Sequence, residues 1–265
     1  MLEIKNAVKV FSKGTPNEHT ALNKLNLTLE DGDYVTIVGS NGAGKSTLFN
    51  AICGSFWLDS GSVVLDGRDI SFVSEYKRAS VIGRVFQDPM KGTAPNLTIE
   101  ENIALAFARA RKGRLAFAVT KKDREMFRQA LSEFGMGLEN RMKTKVGLLS
   151  GGQRQVVTLL MCTLVPPKLL LLDEHTAALD PATAETVMKI TNNIVNKNKL
   201  TTLMITHNLS AAFVTGSRTI MMDEGSIILD VSGEERAGMS LDDVLNMYSL
   251  KRNKVFDNDR MLLTQ

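Results

Sequence analysis

The first third of the chain alternates in the manner of strands. Met1-Leu2-Glu3-Ile4-Lys5 puts every second residue on one face, and Leu25, Leu27 and Leu29 alternate with Asn26, Thr28 and Glu30 before the turn Asp31-Gly32. Tyr34-Val35-Thr36-Ile37-Val38 is a continuous apolar, largely β-branched run, which predicts a buried strand. Thr47-Leu48-Phe49-Asn50-Ala51-Ile52 reads as the first turns of a helix, and Val63-Val64-Leu65 and Val81-Ile82-Gly83-Arg84-Val85-Phe86 as two further strands. From about residue 88 to 165 the period becomes helical. Thr98 with Glu101 makes a capping box that opens a helix over 99–110. Phe127, Leu131 and Phe134 mark one face of a second helix, and Ser150 precedes a third, which Pro166-Pro167 stops.

Strands resume over 168–173 and 202–206. Between them Asp180 as N-cap and Pro181 at the first helical position open a helix to about residue 196. Residues 218–222 and 226–229 flank Asp223-Glu224-Gly225 as a hairpin. Ser240 is expected to start a last short helix, with a polar tail from Lys251. Strands separated by helices imply an α/β chain with a mostly parallel sheet covered on both faces, and the helical stretch as an inserted arm.

Composition narrows the class. The chain has 265 residues, 43% of them hydrophobic, enough for one large α/β domain with a substantial core. A net charge of +3 is too small to argue for nucleic acid or for strong membrane attraction. No apolar run approaches the roughly 20 residues of a membrane helix, and the N-terminus lacks the layout of a signal peptide. The two cysteines, Cys53 and Cys162, fall in separate expected helices and read as small hydrophobes. The chain therefore reads as cytosolic.

Chemistry concentrates in a few places. Gly39, Ser40, Asn41, Gly42, Ala43, Gly44, Lys45, Ser46 and Thr47 fit G-x-x-x-x-G-K-[ST] between an expected strand and an expected helix. Glycines let successive N–H groups turn toward one anion, and the helix N-terminus adds partial positive charge. Lys45 brings a full charge to the outer phosphates, and Ser46 a hydroxyl for Mg²⁺. The strand Leu169-Leu170-Leu171-Leu172 ends in Asp173 and Glu174, at the strand edge where open α/β sheets place ligands. One acid can hold Mg²⁺ and the next polarise water against a γ-phosphate. Gln87 and His207 each follow a core strand; either can reach the phosphate or metal, and either can be structural. Leu149-Ser150-Gly151-Gly152-Gln153-Arg154-Gln155 forms a second anion site at the start of a helix, about a hundred residues from the first. Two chains arranged head-to-tail can bring both halves to one nucleotide.

In combination these residues resemble the ATP-binding subunits of ABC transporters. The resemblance covers essentially the whole length to about residue 249, through the loop at 39–47, Gln87 before Asp88-Pro89, the signature at 149–155, Asp173-Glu174, Ala178-Leu179-Asp180 and His207. It implies a P-loop NTPase (RecA-like) core over 1–87 and 166–230 with an N-terminal antiparallel β subdomain, an inserted α-helical subdomain over 88–165, and a C-terminal helix and tail over 231–265. It implies ATP and Mg²⁺ as cofactors, with Ser46, Gln87 and Asp173 at the metal. Glu174 becomes the base, His207 the switch, and Asp180 part of the inter-subunit loop. Ser150, Gly151, Gly152 and Gln153 would face the partner's nucleotide, and Phe11 would lie under the adenine, although it also fits as a core residue of the first strand.

Two positions depart from the family's habit. His175 stands where proline is usual, and is read as without consequence; Phe11 replaces the usual tyrosine. The implied function is ATP hydrolysis that powers a membrane transporter, with import of a small solute such as an amino acid as the expected direction. The implied partners are transmembrane permease subunits, a second ATP-binding subunit forming a homodimer, and an extracytoplasmic solute-binding protein, without nucleic acid. The implied location is cytoplasmic, peripheral on the inner face of the membrane, with 88–96 as the link to the permease. A soluble assembly ATPase of the same superfamily is the alternative; a small-molecule P-loop kinase would leave 149–155 without purpose. The basic group Arg109, Arg111, Lys112, Arg114, Lys121 and Lys122 is read as a solvated loop, and Trp57 as packing.

Overall fold

A computed structural model describes residues 1–110, 119–239 and 243. Along the chain run β1 (Leu2–Phe11), β2 (His19–Leu29), β3 (Tyr34–Val38), α1 (Lys45–Cys53), β4 (Ser60–Leu65), β5 (Arg68–Asp69) and α2 (Glu75–Arg78). Then follow β6 (Ile82–Val85), α3 (Ile99–Ala110), α4 (Lys121–Ser132), α5 (Gly151–Thr163), β7 (Leu169–Asp173) and α6 (Pro181–Asn198). The described part closes with β8 (Thr202–Ile205), α7 (Leu209–Val214), β9 (Arg218–Asp223), β10 (Ser226–Ser232) and α8 (Gly233–Gly238). The chain divides into two compact units, 1–79 with 201–265, and 80–200.

The first unit holds an antiparallel sheet in the order β2-β1-β4-β5. In β2 the alternation works as the sequence implies: Leu25, Leu27 and Leu29 are buried while their neighbours face out. The same unit holds β3, every residue of it buried, paired in parallel with β8 on one side and β9 on the other. The one polar residue in β3, Thr36, is satisfied: its hydroxyl lies 2.9 Å from Thr219 Oγ1 and 3.1 Å from Ala212 O. β10 returns antiparallel along β9, which is the expected hairpin.

The second unit pairs β6 with β7 in parallel and surrounds them with helices. Helix α5 packs on β6, on α3 and on α6. The expected helical stretch is thus part of a larger compact body that includes both strands and α6. The Thr98–Glu101 box closes as read, with Thr98 N–H and Oγ1 both bonded to Glu101 Oε2 at 2.7 Å.

Three expectations change. Phe134 lies beyond α4, because Gly135 N–H bonds back to Ser132 O and ends the helix; Phe127 and Leu131 alone carry its buried face. Trp57 is 60% exposed and meets the still more exposed Phe72 edge to face at 5.9 Å between centroids, so it is a surface residue. Helix α8 was not anticipated, since no residue of it is buried. The helix expected from Ser240, the tail after 250 and most of the basic loop lie outside the described residues.

Candidate functional site

In the first unit the segment 39–47 joins β3 to α1. Gly39 has φ 148°, and a Cβ there would stand 2.2 Å from Met222 O. Gly44, the N-cap of α1, has φ 97°, and its Cβ would stand 2.4 Å from Ala21 O. Only glycine combines these angles with so close a passage to backbone. The turn is fixed by Ala43 N–H to Ser40 O and by Gly225 N–H, at the tip of the β9–β10 hairpin, to Ala43 O, both 3.1 Å. Lys45 is 5% exposed, and its Nζ donates to Gly39 O at 2.5 Å and Ser40 O at 3.0 Å. The ammonium is therefore held inside the loop that carries it. No acidic residue occupies the first turn of α1, so the positive end of the helix is not cancelled.

Two other candidates belong to this unit. His207 follows β8, half-buried, just before Asn208, which caps α7 by accepting Ala211 N–H at 2.8 Å. Phe11, at the end of β1, is 39% exposed and meets Phe56 edge to face at 5.5 Å. It is not a core residue.

In the second unit β7 delivers Asp173 as its last residue. Asp173 Oδ2 accepts from Arg84 Nη2 on β6 at 2.7 Å. Glu174 follows with φ 48°, a left-handed conformation. Such strain costs a non-glycine residue about 1–3 kcal/mol and gathers at functional sites. His175 is buried, with Nε2 3.0 Å from Thr191 Oγ1 on α6. That hydroxyl donates to Val187 O at 2.8 Å, so the imidazole donates from Nε2. Burial pushes the His175 pKa down to about 4, and the ring is neutral at physiological pH. His175 thus anchors the turn after Glu174 to α6 by a hydrogen bond.

The remaining candidates open helices or lie beside them. Ser150 caps α5 in a full capping box, Gln153 N–H to Ser150 Oγ and Ser150 N–H to Gln153 Oε1, each 3.3 Å. Ser150 and Gly151 are exposed, and α5 has no acid in its first turn. Gly152 is buried against α6, where a Cβ would meet Thr183 Cγ2 at 2.1 Å. Asp180 caps α6, accepting Thr183 N–H at 3.0 Å, and these bonds from Thr183 hold its carboxyl below the usual range. Gln87 is exposed, two residues past β6.

Sequence reasoning missed three residues here. Arg154 Nε and Nη2 bind the carbonyls of Val146, Gly147 and Leu149, stiffening the approach to Ser150. Gln155, buried on α5, donates to Phe86 O at 3.1 Å and so ties the signature helix to the residue before Gln87. The signal that could have found it is a polar residue directly before the apolar run Val156-Val157, buried among the residues that run buries. Arg84 is the third.

Residues 22–177 match the family model described as ABC transporter. The chain belongs to this family. The subunit is 42% identical over 248 residues to the "Tyrosine transport ATP-binding protein" of Clostridioides difficile strain R20291, covering 94% of this chain and 98% of that protein. It is 34% identical over 212 residues to the "Thiamine import ATP-binding protein ThiQ" of Shigella flexneri, covering 80% and 86%. Among solved structures it resembles a dimeric ATP-binding cassette in a post-hydrolysis state bound to ADP and Pi, with TM-score 0.76 and 28% identity over 88% of this chain and 98% of that one. As an ABC cassette the chain binds ATP and is an ATPase. Among the described residues no helix is long and apolar enough to cross a membrane.

Proposed function

We propose that this ABC subunit powers import of a small solute, an amino acid being the favoured cargo, through separate membrane permease subunits. The observation that carries the mechanism is that two helices, α1 and α5, each open on glycine and serine with no acid in the first turn. Each is a phosphate site. We assign the first to the nucleotide of its own chain and the second to the nucleotide of a second copy, so that ATP favours the paired state by touching both chains only there. Support for an amino-acid cargo is the likeness to the tyrosine transport protein.

Lys45 and the N–H groups of residues 39–47 hold the triphosphate. Ser150, Gly151 and the N-terminus of α5 meet the γ-phosphate of the other copy, while Gly152 and the Gln153 cap keep that N-terminus in place. Glu174 accepts the proton of the attacking water, and its φ of 48° fixes where the carboxylate starts from. His207 positions the γ-phosphate, Asp180 joins the inter-subunit contact, and Phe11 stacks on the adenine. The oxygen donors Ser46, Gln87 and Asp173 suit Mg²⁺, and among the described residues no three His, Cys, Asp or Glu groups gather into an all-protein cage. That donor set fits an ion that completes its shell with phosphate oxygens and water. Ser46, Gln87 and Asp173 would hold the ion, which would supply positive charge against the triphosphate.

Partners follow from the same reading: two identical copies, a transmembrane permease and an extracytoplasmic solute-binding protein, with the subunit on the cytoplasmic face. The segment 88–96 offers the permease contact. The test is Glu174→Gln with ATP in light scattering. The variant should bind ATP, pair stably and lose turnover. Turnover near the parent rate, or a monomer at saturating ATP, would reject the reading.

A further inference from the structure

Strand geometry brings one cation to Asp173. Arg84 pairs with Leu171 in the parallel register of β6 and β7, and Asp173 lies two residues further along β7. Side chains two apart on a strand share a face, so Arg84 on β6 lies on the face that Leu171 and Asp173 present on β7, and Phe86 follows one residue past the end of β6. The guanidinium carbon of Arg84 stands 4.7 Å from the Phe86 ring centroid, a cation–π contact. From that platform Nη2 reaches Asp173 Oδ2 at 2.7 Å, and each side chain is only 13% exposed. The backbone of Arg84 is itself held, its carbonyl accepting from Cys162 Sγ on α5 at 3.3 Å. The carboxylate assigned to the metal is therefore already neutralised by the protein.

We propose that Arg84 is the counter-ion of Asp173, and that it withholds this carboxylate from free divalent cations until the metal arrives on a triphosphate. The inference rests on the assignment of Asp173 to the metal in the proposed function. A partly buried carboxylate without a partner would attract any hard cation, Ca²⁺ or Mn²⁺ included. A guanidinium at 2.7 Å removes that attraction and leaves the side chain charged and oriented. A metal–triphosphate complex carries extra ligands for the ion and negative charge for Arg84, so the exchange becomes favourable only with nucleotide present. Phe86 gives the released guanidinium a place to remain stacked.

The experiment is a Mn²⁺ titration of the nucleotide-free full chain by electron paramagnetic resonance. A neighbouring cation changes the affinity of a carboxylate for a proton by about ten- to a thousandfold; the lower figure applies to a hydrated ion. Arg84→Gln should therefore bind Mn²⁺ about tenfold more tightly than the parent, Arg84→Lys should stay near the parent, and the gain should vanish in Arg84→Gln/Asp173→Asn. Parent-like affinity in Arg84→Gln, where Asp173→Asn still weakens Mn²⁺ binding, overturns the role of Arg84 and leaves the metal assignment standing. A gain that persists without Asp173 overturns both. Should Arg84→Gln fail to fold, the parent protein with ¹⁵N-labelled arginine decides the matter. The Arg84 guanidinium signal should shift with Mg²⁺–ATP and not with ATP in chelator; a signal indifferent to Mg²⁺ refutes the exchange.

Discussion

Arg78 closes the end of α1 opposite the phosphate loop, and its loss should cost more than that of any surface cation. The side chain is 2% exposed. Its Nη1 donates to Ala51 O and Ile52 O in the last turn of α1, both at 2.8 Å; Nε donates to Val73 O at 2.8 Å and Nη2 to Ser71 O at 2.9 Å. A cation at a helix C-terminus also interacts favourably with the macrodipole. Arg78→Met fills much of the volume and removes all four donations. Ala51 O keeps the Gly54 N–H at 3.3 Å, so three carbonyls bear the main loss. An unsatisfied buried group costs about 1–3 kcal/mol, and partial access of water places the sum at about 3–5 kcal/mol, the range of a broken buried network. At about 2–4 °C per kcal/mol for a chain of this size, the thermal midpoint should fall by roughly 10 °C. Arg78→Lys keeps the charge but cannot reach both pairs of carbonyls at once, and should recover less than half. Scanning calorimetry at neutral pH reads both variants. A fall under about 2 °C for Arg78→Met would mean that these carbonyls find other donors and that the bonds contribute little.

Two further expectations are directly measurable. His175 has its folded pKa depressed to about 4 against an ordinary 6.5, so the unfolded chain takes up the proton first; stability should be full above pH 6.5 and fall by up to roughly 3 kcal/mol as pH drops toward 4. Denaturant titrations should show that slope shrinking in His175→Phe; an unchanged slope would place the titration elsewhere. Gly152→Ala puts a methyl 2.1 Å from Thr183 Cγ2, forcing α5 off α6 at a cost of about 1–3 kcal/mol and displacing the α5 N-terminus; it should weaken ATP-driven pairing while ATP affinity of the monomer stays the same. Parent-like pairing by light scattering would show that the helices can adjust.

How much could be read before folding depended on the range of the interaction. The all-buried β3, the apolar run of β7, the capped α3, α5 and α6, and the β9–β10 hairpin rest on patterns within a few residues, and they stand as read. The phosphate loop was legible because its glycines answer to local φ values. Arg78 was not, since its acceptors include carbonyls 26 and 27 residues back, and neither was Arg84, whose acid lies 89 residues on. Trp57 misled because an aromatic past a helix ordinarily packs, whereas here its partner Phe72 is itself on the surface. His175 looked neutral in effect; only the fold reveals that it reaches Thr191 on α6.

The claim on which the account turns is that Lys45 and Ser150 of different molecules complete one nucleotide site. It is tested by mixing Glu174→Gln copies carrying Lys45→Ala with Glu174→Gln copies carrying Ser150→Arg, and following ATP-driven association by fluorescence energy transfer between them. Each variant alone should stay monomeric with ATP, while the mixture should pair, because one Lys45 and one Ser150 remain to face each other. A mixture as monomeric as its components, with the parent protein pairing under the same conditions, would contradict it.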